Sequence, residues 1–208
     1  MEDFMNEQEQ WDWLRSRARE YGPWIVAGVA LAAAGLWGWK WWQTRPEERL
    51  LQAAAQYEQV VSAFSGNDMA RVQALADKLN QEHPGSGYAE QAQLAAAGLQ
   101  VENNQSGAAI ERLQKVMVAT KDAELALTVR LRIARIQLDQ NKADDALATL
   151  AAAQPGAFAA RFAEVRGDAL LAKGDRAAAL KAYREAVGSA AKGSNELLTL
   201  KINALTRS

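Results

Sequence analysis

The chain has 208 residues, with 24 Lys and Arg against 25 Asp and Glu for a formal charge of −1, one histidine and no cysteine. That balance leaves no basic excess for nucleic acid, and the composition excludes disulfides, thiolate metal sites and the usual zinc ligand sets. Four prolines, no long Gly/Ser tract and abundant Ala, Leu, Gln, Glu, Lys and Arg predict an all-α protein.

Residues 1–20 form a short tail, acidic at Glu2, Asp3, Glu7, Glu9 and Asp12 and closed by Arg15, Arg17 and Arg19. From Tyr21 to Trp39 the chain runs YGPWIVAGVALAAAGLWGW with no charge. As a helix those residues reach about 28 Å, the thickness of a bilayer's hydrocarbon core. Every tryptophan lies near this run, with Trp11, Trp13 and Trp24 towards one end and Trp37, Trp39, Trp41 and Trp42 at the other. Indole rings favour the headgroup level, and Lys40 can extend outward from it. A cleaved signal peptide would carry a short basic leader, and a buried core helix rarely needs four tryptophans at one end. The expectation is a single transmembrane helix over 21–42. Gly28, Ala32 and Gly35 share one helix face, which suits a lateral helix as well as an ordinary anchor. Three basic residues precede the run and three follow it, Lys40, Arg45 and Arg49, so charge does not settle the orientation.

The remaining residues, 46–208, suffice for one helical domain. Pro46 suits the first turn of a new helix, with Glu47 and Glu48 at its positive end. Leu50, Leu51, Ala54, Tyr57, Val60, Val61 and Phe64 recur at helical spacing up to the break at Gly66-Asn67-Asp68. A second helix carries Met69, Val72, Leu75, Ala76 and Leu79 and ends before His83-Pro84. Pairs then follow at about 86–103 with 106–119, 122–140 with 143–153, and 157–173 with 175–190. Their turns are Asn103-Asn104-Gln105, Asn141-Lys142 and Gly174-Asp175. A last segment, about 194–206, closes the chain. Short polar links between helices make antiparallel hairpins, and repeated hairpins make a solenoid.

The clearest hairpin is FAEVRGDALLAKGDRAAALKAYREAV, Phe162 to Val187. Gly167, the Gly174-Asp175 turn, Ala179, Tyr183 and Ala186 resemble the tetratricopeptide repeat pattern, in which small residues let two helices close and an aromatic fills the wedge. Ala134, Ala146, Leu150 and Ala153 stand in the same relation upstream, then Ala97, Ala109, Leu113 and Val116, and most weakly Ala70. Alanines 70, 109, 146 and 179 are 39, 37 and 33 residues apart, so the repeats are irregular. The fold expected is a single transmembrane helix followed by a tetratricopeptide-repeat-like solenoid of helical hairpins.

With anchor and repeats together, the chain resembles the YfgM family, ancillary subunits of the bacterial Sec translocon. The resemblance rests on NEQEQWDWLRSRAREYG before the run, GLWGWKWWQ closing it, HPGSGYAEQAQLAAA opening the second hairpin, and the repeat-like tail. Gly85 and Gly87 make the stretch from Pro84 to Tyr88 looser than the family's. The resemblance implies a bacterial inner-membrane protein with a cytoplasmic N-terminus and a periplasmic domain. It further implies Sec translocon partners, a membrane-anchored periplasmic chaperone of prolyl-isomerase type, and binding without catalysis. An adaptor or assembly factor of another cell-envelope complex, or a holdase that binds unfolded clients, uses the same architecture.

No catalytic, cofactor or metal motif stands out, and neither nucleic acid nor a small-molecule substrate is expected. His83 precedes Pro84 at a helix end, where terminal carbonyls are its natural neighbours. Asp144 and Asp145 open a helix whose dipole favours acids. Arg130, Arg132 and Arg135 with Glu124 read as a solvated face. If the hairpins stack as tetratricopeptide repeats do, the first helix of each lines a concave wall. That wall would present Gln91, Leu94 and Val101, then Leu131, Arg135 and Leu138, then Arg161, Glu164, Asp168 and Leu171. Ala109, Ala134, Ala146, Gly167, Ala179, Tyr183 and Ala186 are the residues expected to pack the repeats.

Overall fold

A computed structural model describes the backbone of residues 7–189 and 196–207, and among these the side chains of Trp24, 26–36, 47–189 and 196–206. The expectations for Trp11, Trp13, Trp37, Trp39, Trp41, Trp42, Lys40 and Arg45 lie outside the described side chains. Among the described residues there are nine α-helices and one 3-10 turn at Gly156–Phe158. They are α1 (Glu7–Ser65), α2 (Met69–Glu82), α3 (Gly87–Glu102), α4 (Ser106–Ala119), α5 (Ala123–Asp139), α6 (Ala143–Ala151), α7 (Ala159–Ala172), α8 (Arg176–Ser189) and α9 (Glu196–Arg207).

The chain divides into two compact units, Met1–Gln52 and Ala53–Ser208. In the first, the described part of the apolar run, Trp24 and 26–36, is helical and exposed on every side. Among the described residues no helix is long and apolar enough to cross a membrane. The expected helix start at Pro46 is corrected: α1 runs through that residue without interruption. Proline removes one hydrogen bond and strains the preceding turn, and here the long helical stretches on both sides carry the structure through it.

The second unit is four hairpins and a final helix, with helix boundaries close to those expected from periodicity. Each hairpin turns on one residue in the left-handed region: Asn67 at φ 52°, Asn104 and Asn141 at 60°, and Gly174 at 84°. Asparagine and glycine tolerate that conformation better than other residues. The N–H of each turn residue donates to the carbonyl three back, on Phe64, Val101, Leu138 and Leu171, at 2.8–3.0 Å. The next N–H, on Asp68, Gln105, Lys142 and Asp175, reaches five back at 2.7–3.1 Å. This pair of bonds is the Schellman helix stop. Its four copies lie 37, 37 and 33 residues apart, which fixes the repeat register. Asp68 and Asp175 also cap the following helices, accepting from the N–H groups of Arg71 and Ala178 at 3.1 and 2.9 Å.

The core is a row of four clusters, each joining one hairpin to the next helix. Val60, Val72, Ala76 and Leu79 meet Ala92, Ala96 and Leu99 of α3. Leu94, Ala97, Ala109 and Leu113 meet Val129, Ile133 and Ile136 of α5. Leu131, Ala134, Ala146 and Leu150 meet Phe162, Val165 and Ala169 of α7. Ala163, Ala179, Tyr183 and Ala186 meet Leu198 of α9, flanked by Ile202 and Leu205. Each first helix therefore has two buried faces, one for the hairpin behind it and one for its own partner.

Candidate functional site

In the register set by the turns, the second helices carry the equivalent residues Val72-Ala76-Leu79, Ala109-Leu113-Val116, Ala146-Leu150 and Ala179-Tyr183-Ala186; α6 ends at Ala151, so the expected Ala153 lies beyond it and is half-buried. Ala109 is buried in the second cluster, Ala134 and Ala146 in the third, and Ala179, Tyr183 and Ala186 in the fourth. Gly167 is buried too, and a Cβ there would lie 2.5 Å from a ring carbon of Tyr183. Ala70 is exposed, so the first copy is corrected to Val72, two residues on. The helix places its inward stripe by rotation, and an alanine one half-turn away faces water.

The expected concave wall divides. Leu94 and Leu131 are buried in the second and third clusters, where they hold their own hairpins together and present no surface. Val101 and Leu138 are half-buried against the same clusters. Gln91, Arg135, Arg161 and Leu171 are exposed, and Glu164 and Asp168 are half-buried. Glu164 and Asp168 face α9. Lys201 Nζ donates to Glu164 Oε1 at 3.0 Å and to Asp168 Oδ1 at 2.7 Å, and lies 5.4 Å from the centre of the Tyr183 ring. The Tyr183 hydroxyl donates to the same Asp168 oxygen at 2.7 Å. Burial disfavours the Lys201 ammonium, but the bonds to Asp168 and Glu164 and their charges outweigh it and raise its pKa. Burial, reinforced by the bond to Asp168 and the two carboxylate charges, pushes the Tyr183 phenol well up.

A second polar cluster escaped the sequence reading. Arg112 of α4 reaches back to α2, where Nη1 donates to Asp77 Oδ1 at 2.5 Å, and also to Gln93 Oε1. Its Nε donates to Gln100 Oε1 at 3.2 Å. Gln93 in turn donates to the Ala76 carbonyl at 2.9 Å and to Asp77 at 3.1 Å. Gln93 and Gln100 are the buried polar side chains among the described residues, and both are bonded, as burial requires. Burial would raise the Asp77 pKa, but the bonds from Arg112 and Gln93 and the charges of Arg112 and Lys115 outweigh it and lower the group below its usual value. Above this cluster opens a cavity of about 520 Å³, lined by Asn80, Glu90, Glu111 and Lys115 among others.

His83 is the C-cap of α2, its backbone N–H donating to the Leu79 carbonyl at 2.9 Å. Asp144 and Asp145 stand exposed in the first turn of α6, and Asp144 pairs with Lys173 at 2.5 Å. Arg130 turns inward to the Thr149 carbonyl at 3.1 Å, whereas Arg132, Arg135 and Glu124 are exposed. Among the described residues no three His, Cys, Asp or Glu side chains gather as metal ligands. Of the expected wall, Gln91, Arg135, Arg161 and Leu171 are the exposed residues, set on a repeat frame held by four buried clusters.

The model of the tetratricopeptide repeat-like domain family matches residues 16–207. The "Ancillary SecYEG translocon subunit" of Escherichia coli K12 is 32% identical, over 99% of this chain and 100% of its own. Proteins of the same name from Haemophilus influenzae and Neisseria gonorrhoeae are 29% and 30% identical, each over 97% of this chain and 98% of its own. No solved structure matches the chain. The match therefore runs from before the apolar run through the last helix, and the chain belongs to the YfgM family, the family of the ancillary SecYEG translocon subunits.

Proposed function

We propose that this chain is a non-catalytic scaffold at the bacterial inner membrane, an ancillary subunit of the Sec translocon that links translocation to periplasmic chaperones. The observation that carries the reading is the end-to-end match to relatives with that name, which takes in both the apolar run and the repeats. In this reading residues 1–20 are a cytoplasmic tail, 21–42 cross the membrane, and 46–208 form the periplasmic domain. The uncharged run Tyr21–Trp39 supports the crossing, as does the exposure of its described side chains all round, an arrangement stable only in an apolar surrounding. The exposed inner row of Gln91, Arg135 and Arg161 is the surface for a folded partner, with Val101, Leu138, Glu164, Asp168 and Leu171 beside it. A polar row with two arginines discriminates between partners, which suits a scaffold better than a holdase. One partner in this reading is a membrane-anchored chaperone of prolyl-isomerase type.

Site-specific photocrosslinking in native membranes tests the proposal, with probes at Gln91, Arg135 and Arg161 and one at Ala32. Adducts to translocon subunits or one periplasmic chaperone are expected. A spread of unrelated secreted proteins would point to a holdase, another envelope complex to an adaptor, and cytoplasmic proteins would reverse the orientation.

A further inference from the structure

Successive hairpins meet along seams, and the repeat register makes the first three seams comparable position by position. The places of Gln93, Gln100 and Arg112 in the first are held by Arg130, Gln137 and Thr149 in the second, and by Ala163, Leu170 and Ala182 in the third. The third seam shows that the fold closes at these places without polar groups, since Ala163 and Ala182 are buried. The second is polar but satisfied within itself. Arg130 donates to the Thr149 carbonyl at 3.1 Å, and the Thr149 hydroxyl donates to Gln137 Oε1 at 2.8 Å.

The first seam is left incomplete. Gln100 is 5% exposed and its Oε1 accepts from Arg112, but its Nε2 has no partner among the described residues. A donor so enclosed is costly to leave unpaired, and the leucine at 170 shows that the packing does not require it. Gln100 lines the cavity of about 520 Å³, a volume within the roughly 300–1,000 Å³ of ligand sites. Gln93 and Gln100 stand two and nine positions beyond Gln91, so the cavity lies across α3 from the inner row. Asp77 and Arg112 neutralise each other over its floor. Glu90, half-buried, and Glu111 and Lys115, both exposed, also line it, and none of the three joins an ion pair among the described residues. Two carboxylates against one ammonium leave the cavity an excess of negative charge.

We propose that this cavity binds an extended segment of a partner protein that carries a lysine or arginine. A backbone carbonyl of the segment accepts from Gln100 Nε2, and the basic side chain lies among Glu90 and Glu111. Asn80 and Gln81, exposed in the lining, each offer an amide that both donates and accepts, as pairing with a peptide backbone requires. A carboxylate or phosphate ligand would meet the excess negative charge. A polyamine would bring the right charge and no acceptor for Gln100. The proposal stands on the seam geometry and does not depend on the complex that the chain serves.

The test uses the full-length chain in detergent micelles and three fluorescein-labelled peptides, Ser-Gly-Lys-Gly-Ser and its versions with a central Gln or Glu, read by fluorescence anisotropy. Saturable binding in the order Lys, Gln, Glu is expected, with about three- to tenfold between the first and the last, the range for partly exposed charge pairs. Glu111→Lys should reverse that order. Gln100→Leu, which copies the residue at 170, should weaken all three peptides about three- to tenfold and keep their order. Ala108→Trp, at an exposed position in the lining, should abolish binding while the helical circular dichroism of the chain is unchanged. Arg135→Glu with Arg161→Glu, on the inner row, should leave binding as it was. The proposal is overturned by an absence of saturable binding, by an order indifferent to Glu111→Lys, or by binding that survives Ala108→Trp. Loss of binding in the inner-row variant overturns it as well, because the peptide would then sit on the other face of α3. So does spermidine that displaces the Lys peptide at equal concentration, because charge alone would then fill the cavity.

Discussion

The first and last hairpins share one backbone and fill it in opposite ways. In the first, Val60 of α1 and Ala76 of α2 occupy the positions that Gly167 and Tyr183 occupy in the last. The intermediate hairpins place Ala97 with Leu113 and Ala134 with Leu150. Along the series the first-helix residue shrinks from valine to glycine while its partner grows from alanine to tyrosine. Close packing demands a roughly constant sum, and either member of a pair can supply the volume. The tetratricopeptide-like look of the last hairpin thus marks one end of this exchange. The hairpins differ in which side chain crosses the interface, and share the turn that brings it there.

The largest effect expected comes from placing a charge on the conserved geometry at either end. Ala179 is fully buried, so Ala179→Glu strands a carboxylate in the fourth cluster and should destabilise by about 4 kcal/mol or more. The same substitution in the first hairpin discriminates between two registers. Val72→Glu should be comparably severe, whereas Ala70→Glu, on an exposed residue, should change stability by about 0.5 kcal/mol or less. Denaturant unfolding of the detergent-solubilised chain, followed by helical circular dichroism, reads all three. A severe Ala70→Glu would break the assignment of Val72.

Next in size is the exchange of volume itself. Tyr183→Ala removes a buried ring and should cost about 3–5 kcal/mol. Gly167→Ala sets a methyl 2.5 Å from that ring, and because the ring is rigid and enclosed the expected loss is about 1–3 kcal/mol. The double substitution Gly167→Ala with Tyr183→Leu rebuilds the pair found at Ala134 and Leu150. If the hairpins trade volume as described, the double variant should be more stable than the summed losses of Gly167→Ala and Tyr183→Leu measured singly allow, by about 1 kcal/mol or more. Strict additivity would mean that Gly167 is small for some reason other than Tyr183.

Much of this was legible in the sequence because it is local. Asn67, Asn104, Asn141 and Gly174 end their helices through bonds to residues three and five back, and polar breaks between apolar stripes mark such turns. Pro46 was the local signal that misled, since a proline with helix on both sides can be carried through. Alanine at position 70 fits the composition while valine at 72 does the packing, so the sequence pattern alone sets the first copy two residues out of register. Leu94 and Leu131 read as part of an open wall in the sequence, which shows one apolar stripe where a solenoid helix buries two faces. The polar clusters were invisible for another reason. Arg112 meets Asp77 across 35 residues and Lys201 meets Glu164 across 37, and no spacing rule links charges at such distances.

Those two clusters give the smallest and most selective difference between the ends, one that pH separates. The Asp77 pKa is lowered in the folded chain, so its stabilising contribution is complete above the unfolded carboxylate value, about 4, and is lost as pH falls through the folded value. The Lys201 pKa is raised, so its contribution is complete below the unfolded value, about 10.4, and is lost as pH rises through the folded value. Acid should therefore loosen the junction of the first two hairpins, and alkali the seat of α9. Both groups are partly solvated, so each effect should be about 1 kcal/mol or less. Hydrogen exchange reads them separately. Below pH 4, protection should fall in α2 and α4, and Asp77→Asn should remove that pH dependence while leaving α9 unaffected. Above pH 10, protection should fall in α9, and Lys201→Met should abolish the response because a methionine has no proton to lose. A uniform loss of protection along the whole domain at either extreme would mean that the hairpins open as one cooperative unit. The two ends would then differ in how they are filled and not in how they come apart.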